Sequence, residues 1–283
     1  MKKILAVLLV LFTLAGCSNS APAENGKETV AETKVESETE EKGTIVVGAS
    51  IVPHAEILEQ TRSILADEGY ELKIVEFADY VQPNLALDTG DLDANYFQHE
   101  PYLISFNEEH NLDLVSVGKI HYEPFGIYQG QKSSLDELEK GDKISVPNDP
   151  TNEARALGLL EAEGVITIKE GAGLNATKLD IVDNPHEIEI VELEAAQLAK
   201  SIDDVAFSVI NGNYALQDGL TADQVIAFES KDSVGAETFA NVVAVKAGNE
   251  NNPKIIALME ALQSEKIKTF IQDTYEGAVE PSF

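Results

Sequence analysis

Cysteine is almost absent from this 283-residue chain. Cys17 is its single one, so no disulfide can close within it and no thiolate cluster is available to hold zinc. Tryptophan is missing altogether, and 20 basic residues stand against 50 acidic ones, for a formal net charge of -30. That balance argues against nucleic acid or an anionic membrane face as a partner, because both would repel the chain. Nucleophile and metal signatures are missing too. There is no G-x-S-x-G turn, and the histidines at 54, 99, 110, 121 and 186 show neither H-x-x-x-H nor H-x-H spacing, so neither a serine hydrolase nor a metal centre is expected. Only two arginines occur, Arg62 and Arg155.

What is present divides the chain sharply. Met1-Lys2-Lys3 and the apolar run from Ile4 to Gly16 read as a secretory signal over 1–16, too short for a comfortable membrane span. The run closes on LAGC, Leu14 to Cys17, which resembles a bacterial lipobox. The resemblance implies a diacylated Cys17, with palmitate among its acyl chains, at the mature N-terminus. Two or more acyl chains anchor a protein stably without spanning the bilayer. Residues 17–43 are rich in Glu, Ser, Thr and Ala and lack aromatics, so they read as a flexible acidic tether.

From Thr44 onward, short β-branched runs alternate with helical stretches. Strands are expected at 44–50, 71–77, 114–120, 143–147, 188–193, 205–210 and 241–247, and helices at 54–68, 101–110, 152–163, 194–201 and from 253 to about 274. Such alternation implies an α/β fold with mainly parallel sheet. Two passages broken by glycine or proline, His121 to Gly130 and Glu229 to Asn241, would let the chain leave a first lobe and return to it, with a ligand between the lobes.

Three stretches carry candidate chemistry. In VPNDPTNEARALGLLEAEG, Val146 to Gly164, a turn leads into a helix that Thr151 or Asn152 can cap, which puts Arg155 in its first turn. A cation there opposes the helix dipole at a cost of about 0.3–1 kcal/mol, so something negative should face it: Glu153, a carboxylate from a neighbouring helix, or a ligand carboxylate gripped by the guanidinium fork. If a ligand, removing Arg155 should hardly affect unliganded stability. Between Asp79 and Leu103, Tyr80, Tyr96, Phe97, His99 and Tyr102 could wall an apolar pocket or fill the core. Near VINGNYALQDG, Val209 to Gly219, Asn211 at a strand end either faces a cleft or makes a plain turn and cap.

The lipobox, ADYVQPNLALDTGDLDANYFQHEPYL, VPNDPTNEARALGLL, NPHEIEIVELEAAQLAKSIDDV, VINGNYA and FANVVAV together resemble the methionine-binding lipoproteins of ABC importers, the MetQ/NlpA type, in the family's order over nearly the whole chain. The resemblance implies an α/β, two-lobed periplasmic-binding-protein fold, type II-like, with the ligand cleft between lobes made of 44–122 plus 240–283 and of 123–239. It implies a monomer without enzyme activity, cofactor or metal. Such a protein is lipid-anchored on the extracytoplasmic face of the cell membrane and delivers methionine to an ABC permease and its ATPase. Carried over, Arg155 takes the ligand carboxylate, Asn211 and Asn241 hold the α-amino and carboxylate ends, and Tyr80, Phe97, His99 and Tyr102 surround the side chain. Asn148 and Asn152 shape the turn, and Gly212 stands where a larger residue is frequent. Competing readings are a receptor for a methionine-containing dipeptide or another small amino acid, a secreted hydrolase using His99 with Glu100 or Glu123, and a structural surface lipoprotein.

Overall fold

The computed structural model describes residues 41–230 and 234–283. The expected signal segment, the Cys17 lipidation site and the tether through residue 40 lie outside the described residues. Among those described, no helix is long and apolar enough to cross a membrane.

The chain begins with β1 (Gly43–Ser50), α1 (Glu56–Asp67), β2 (Tyr70–Phe77), α2 (Gln82–Thr89), β3 (Ala94–His99), α3 (Glu100–His110) and β4 (Leu114–Tyr122). It continues through β5 (Gly126–Gln129), β6 (Lys143–Pro147), α4 (Pro150–Ala162), β7 (Thr167–Ile168), β8 (Ile181–Asp183), β9 (Glu189–Leu193), α5 (Ala195–Leu198), β10 (Phe207–Ile210), α6 (Gly212–Gln217) and β11 (Val225–Phe228). Last come α7 (Val234–Thr238), β12 (Asn241–Lys246), α8 (Pro253–Leu262), α9 (Glu265–Tyr275) and β13 (Glu280–Pro281).

Two sheets organise these elements, in the orders β13-β4-β12-β3-β1-β2 and β11-β5-β10-β6-β9, beside a small β7-β8 pair. Each sheet has its own apolar core. Ile45, Val47, Tyr96, Leu258 and Ile271 pack with the first, and Phe125, Ile127, Ile144, Leu157 and Phe207 with the second. The chain passes from the first sheet to the second between Tyr122 and Gly126, and from the second back to the first between Phe228 and Asn241.

The expectation of a mainly parallel sheet is corrected to a mixed one. β1 runs parallel to β2 and β3, and β6 parallel to β9 and β10. However, β12 is antiparallel to both β3 and β4, and β5 to β10 and β11. The reason is topological: β12 arrives from the other sheet, without the helical crossover that forces parallel pairing. β3 was missed as a strand because all six of its residues are buried, which erases the period-two alternation that marks a half-exposed strand. The expected C-terminal helix is two, broken at Gln263 and restarted after Ser264.

Polar residues within β3 are not left bare. Asn95 Nδ2 and Gln98 Nε2 both donate to Asn84 Oδ1, at 2.8 and 2.7 Å, and Asn84 returns a bond to Gln98 Oε1. Because buried amides are tolerated only when paired, this triad ties the start of α2 to β3. The Tyr80–Phe97 stretch is thereby held against the first sheet.

Candidate functional site

A cavity is lined by residues from both sheets' elements: Tyr80, Phe97, Gln98, His99, Tyr102, Glu123, Asn152, Arg155, Asn211, Gly212, Asn213 and Asn241. All seven residues expected at the binding site line it. Five were not assigned to a ligand: Gln98 lies on the strand that the sequence did not announce, Glu123 in the passage between the lobes, and Asn152, Gly212 and Asn213 in segments that read as turn or cap.

The aromatic wall forms because α3 starts directly at the end of β3. Phe97 on β3 and Tyr102 on α3 sit 6.1 Å apart between ring centres, with Tyr80 5.9 and 5.8 Å from them. The Tyr102 hydroxyl donates to the Tyr80 carbonyl. Phe97 and Tyr102 also pack with Phe106 as a small buried cluster, so wall and core are one structure here.

His99 ends β3 and caps α3. The Tyr102 N–H donates to its Nδ1 at 3.2 Å, so the ring proton resides on Nε2 and is given to Asn152 Oδ1 at 3.2 Å. Asn152 is a hub, because its Oδ1 also accepts from Asn211 Nδ2 at 2.9 Å while its own Nδ2 donates to Asp149. This role exceeds the turn-shaping one expected of it.

The start of α4 differs from expectation. Asp149, not Thr151 or Asn152, is the N-cap, accepting from the Asn152 N–H, with Pro150 as the first helical residue. Arg155 therefore lies in the second turn, where the unfavourable dipole interaction has largely faded. The anion facing it is Glu229, just past β11: Arg155 Nε and Nη2 both donate to its carboxylate, Nη2 at 2.6 Å. Nη2 also donates to the Glu123 carbonyl, and the guanidinium centre lies 4.3 Å from the Phe239 ring centre and 4.8 Å from that of Phe125. Arg155 is thus a structural ion-pair partner and a cavity-lining group at once. Glu153 serves elsewhere, accepting from the Lys178 N–H.

Under the cavity, the fold assembles a cluster that no sequence spacing announced. His54 and His121, with Glu123, bring one metal-ligating atom each within 4.8 Å of one another. The cluster is bonded internally: His121 Nε2 donates to Glu123 Oε1 at 2.6 Å, and His54 Nε2 donates to Asn241 Oδ1 at 3.0 Å. A cation would have to displace these bonds.

Burial pushes the pKa values of His54, His99 and His121 down to about 4, 3 and 3. All three are neutral in the folded protein at pH 7. In the unfolded chain a histidine takes its proton near pH 6.5, so between that value and about pH 4 the unfolded state binds more protons. Stability falls as pH drops through this window, by up to about 1.4 kcal/mol per pH unit for each histidine. Glu123 and Asp149, whose pKa values burial raises, act oppositely, with stabilisation present at low pH and lost as pH rises through their folded values. Urea unfolding at pH 6.5 down to 4.5 should therefore give a shallower pH slope for His99→Gln than for the natural chain. Equal slopes would mean that His99 gains its proton without unfolding.

The profile of the NlpA lipoprotein family matches residues 45–283. Among curated relatives, the methionine-binding lipoprotein MetQ of Bacillus subtilis is 38% identical over 295 aligned residues, covering 99% of each chain. A nutrient-binding protein of Burkholderia cenocepacia, solved bound to methionine, matches with a TM-score of 0.80 at 44% identity, over 84% of this chain and 100% of that one. A solved structure from Ruminococcus gnavus reaches 0.83 at 58% identity, over 85% and 99%. The architecture is accordingly the two-lobed binding-protein fold, with its ligand cleft between lobes.

Proposed function

Because the chain belongs to the NlpA lipoprotein family, we propose that it is an extracytoplasmic receptor that captures methionine and delivers it to an ABC permease with its ATPase. In this reading it is a monomer without enzymatic activity, anchored through Cys17 to the outer face of the cell membrane. Residues 44–122 with 240–283 form one lobe and 123–239 the other. The match to the Bacillus subtilis methionine-binding lipoprotein over nearly the whole chain and the methionine-bound Burkholderia relative support it.

The observation that carries the reading is a cavity holding a buried guanidinium, a buried carboxylate and an aromatic wall. A zwitterion with an apolar side chain fits that set. Existing hydrogen bonds support one end of the ligand for each amide. Asn211 spends its Nδ2 on Asn152 and keeps an unpartnered Oδ1, an acceptor suited to an ammonium. Asn213 spends its Oδ1 on the Tyr80 hydroxyl and keeps an unpartnered Nδ2, and Asn241, whose Oδ1 faces His54, likewise offers its amino group. These donors join Arg155 around the ligand carboxylate, while Glu123 and Asn211 take the ammonium. Buried polar atoms without partners are rare in folded proteins, and the ammonium and carboxylate of the ligand would satisfy these two. Tyr80, Phe97 and Tyr102 then face the thioether, where sulfur–aromatic contacts are worth about 0.3–1.5 kcal/mol.

Mass spectrometry of the ligand retained by the purified protein and calorimetric titration with methionine test the reading. Methionine should be recovered and should titrate one to one. Binding of a methionine-containing dipeptide with no response to free methionine would replace it by the dipeptide reading.

A further inference from the structure

Among the described residues, no full positive charge partners the buried side chain of Glu123. It is 6% exposed. Its strongest bond comes from His121, which burial keeps neutral, and its other close neighbour, His54, at 3.8 Å, is held neutral the same way. The one guanidinium nearby, on Arg155, donates to the Glu123 main-chain carbonyl and gives its charge to Glu229. An unpaired ionised carboxylate in such a place is costly, which is why burial raises the pKa of Glu123, and a cation brought by a ligand would offset that cost.

The side chain is nonetheless held from three directions. His121 Nε2 donates to Oε1, and the Asn213 main-chain N–H donates as well. Gly212 lets α6 close upon it: a Cβ there would lie 2.7 Å from the Glu123 Cβ and 3.1 Å from Oε2. His121 is itself fixed, because the Tyr96 hydroxyl bonds its Nδ1. With the carboxylate accepting at one ring nitrogen, the phenol must donate at the other, so the ring is locked in one tautomer and one orientation. His54 packs edge-on to both rings, 4.7 Å from Tyr96 and 4.8 Å from His121.

We infer that His121, backed by Tyr96, is a positioning residue that fixes the Glu123 carboxylate as the receptor for a free α-ammonium group, so that the site selects unsubstituted amino acids over their α-hydroxy and N-acyl counterparts. This rests on the methionine reading above. A site whose polar groups are built for an N–H⁺ donor rejects an analogue lacking it far more strongly than a hydrophobic pocket rejects a missing methylene, because the site's own groups are left unpaired.

The test is the ratio of affinities for methionine and for its α-hydroxy analogue and N-acetylmethionine, measured by calorimetry on the full chain. The natural protein should favour methionine by at least about 100-fold. Glu123→Gln should collapse that ratio, and His121→Phe should reduce it at least about tenfold while changing affinity for the α-hydroxy analogue little. His121→Gln, whose amide can still donate to the carboxylate, should recover part of the ratio. Tyr96→Phe removes one hydroxyl only, and it should lower the ratio in the same direction, so a His121→Phe that fails to fold leaves the test intact. A merely structural role would weaken all ligands together. Variants that bind with an unchanged ratio overturn this inference alone, whereas a natural protein that ignores methionine overturns the proposed function and this inference with it.

Discussion

Replacing Arg155 by alanine is expected to weaken methionine binding at least about ten- to a hundred-fold and to destabilise the unliganded protein as well. The first effect follows from losing a charge-assisted pair with the ligand carboxylate, worth roughly 1.5–3 kcal/mol. The second departs from the ligand-clamp reading of the sequence, which put Arg155 in the first helical turn and expected unliganded stability to change little. Its side chain is 5% exposed and that of its partner Glu229 15%, and breaking a buried pair by removing one member typically costs about 3–5 kcal/mol. Stacking on Phe239 and Phe125 adds to the loss through packing. Arg155→Lys should restore charge but not the fork that reaches Glu229 and the Glu123 carbonyl together, and so should recover only part of either property. Calorimetric titration and urea unfolding separate the two effects. A destabilised protein with unaltered affinity would leave Arg155 a structural ion-pair partner and nothing more.

Gly212→Ala should lower both stability and affinity. The added Cβ would meet the Glu123 Cβ at 2.7 Å, and because both atoms sit directly on their main chains, neither can rotate away. Either α6 or the Glu123 segment must shift, at about 1–3 kcal/mol for overpacking, and the shift displaces the carboxylate proposed to hold the ammonium. A loss of about tenfold in affinity is expected for a misplaced charged contact. Gly158→Ala is the control: on α4 an added Cβ meets nothing within 4 Å, so alanine should raise stability by about 0.5–1 kcal/mol and leave affinity alone. Normal methionine affinity in Gly212→Ala would show that the Glu123 carboxylate need not lie where it does.

Patterns that depend on near neighbours in the chain were legible. The strands at 44–50 and 241–246 and helix α1 follow from β-branched runs and three-to-four spacing, which act over a few residues. The family motifs led to the residues of the aromatic wall because β3 and α3 are consecutive, so Phe97, His99 and Tyr102 lie close together whatever the rest of the chain does. Arg155 stood out through scarcity alone.

What the chain could not disclose locally is which distant groups meet. Glu229 lies 74 residues from Arg155 and Asn241 187 from His54, and no short-range pattern encodes pairings at such separations. Asn152 illustrates the limit from the other side, since the sequence places it at the start of a helix, where it lies, while its bonds to His99 and Asn211 depend on β3 and β10 arriving beside α4. The sequence by itself determined the alternation of elements, the aromatic cluster and a lone arginine that needed an anion. Only the tertiary structure decided that the anion is a protein carboxylate, that Tyr96 backs His121, and that a glycine must stand at position 212, because each of these is a contact between segments that the sheets bring together.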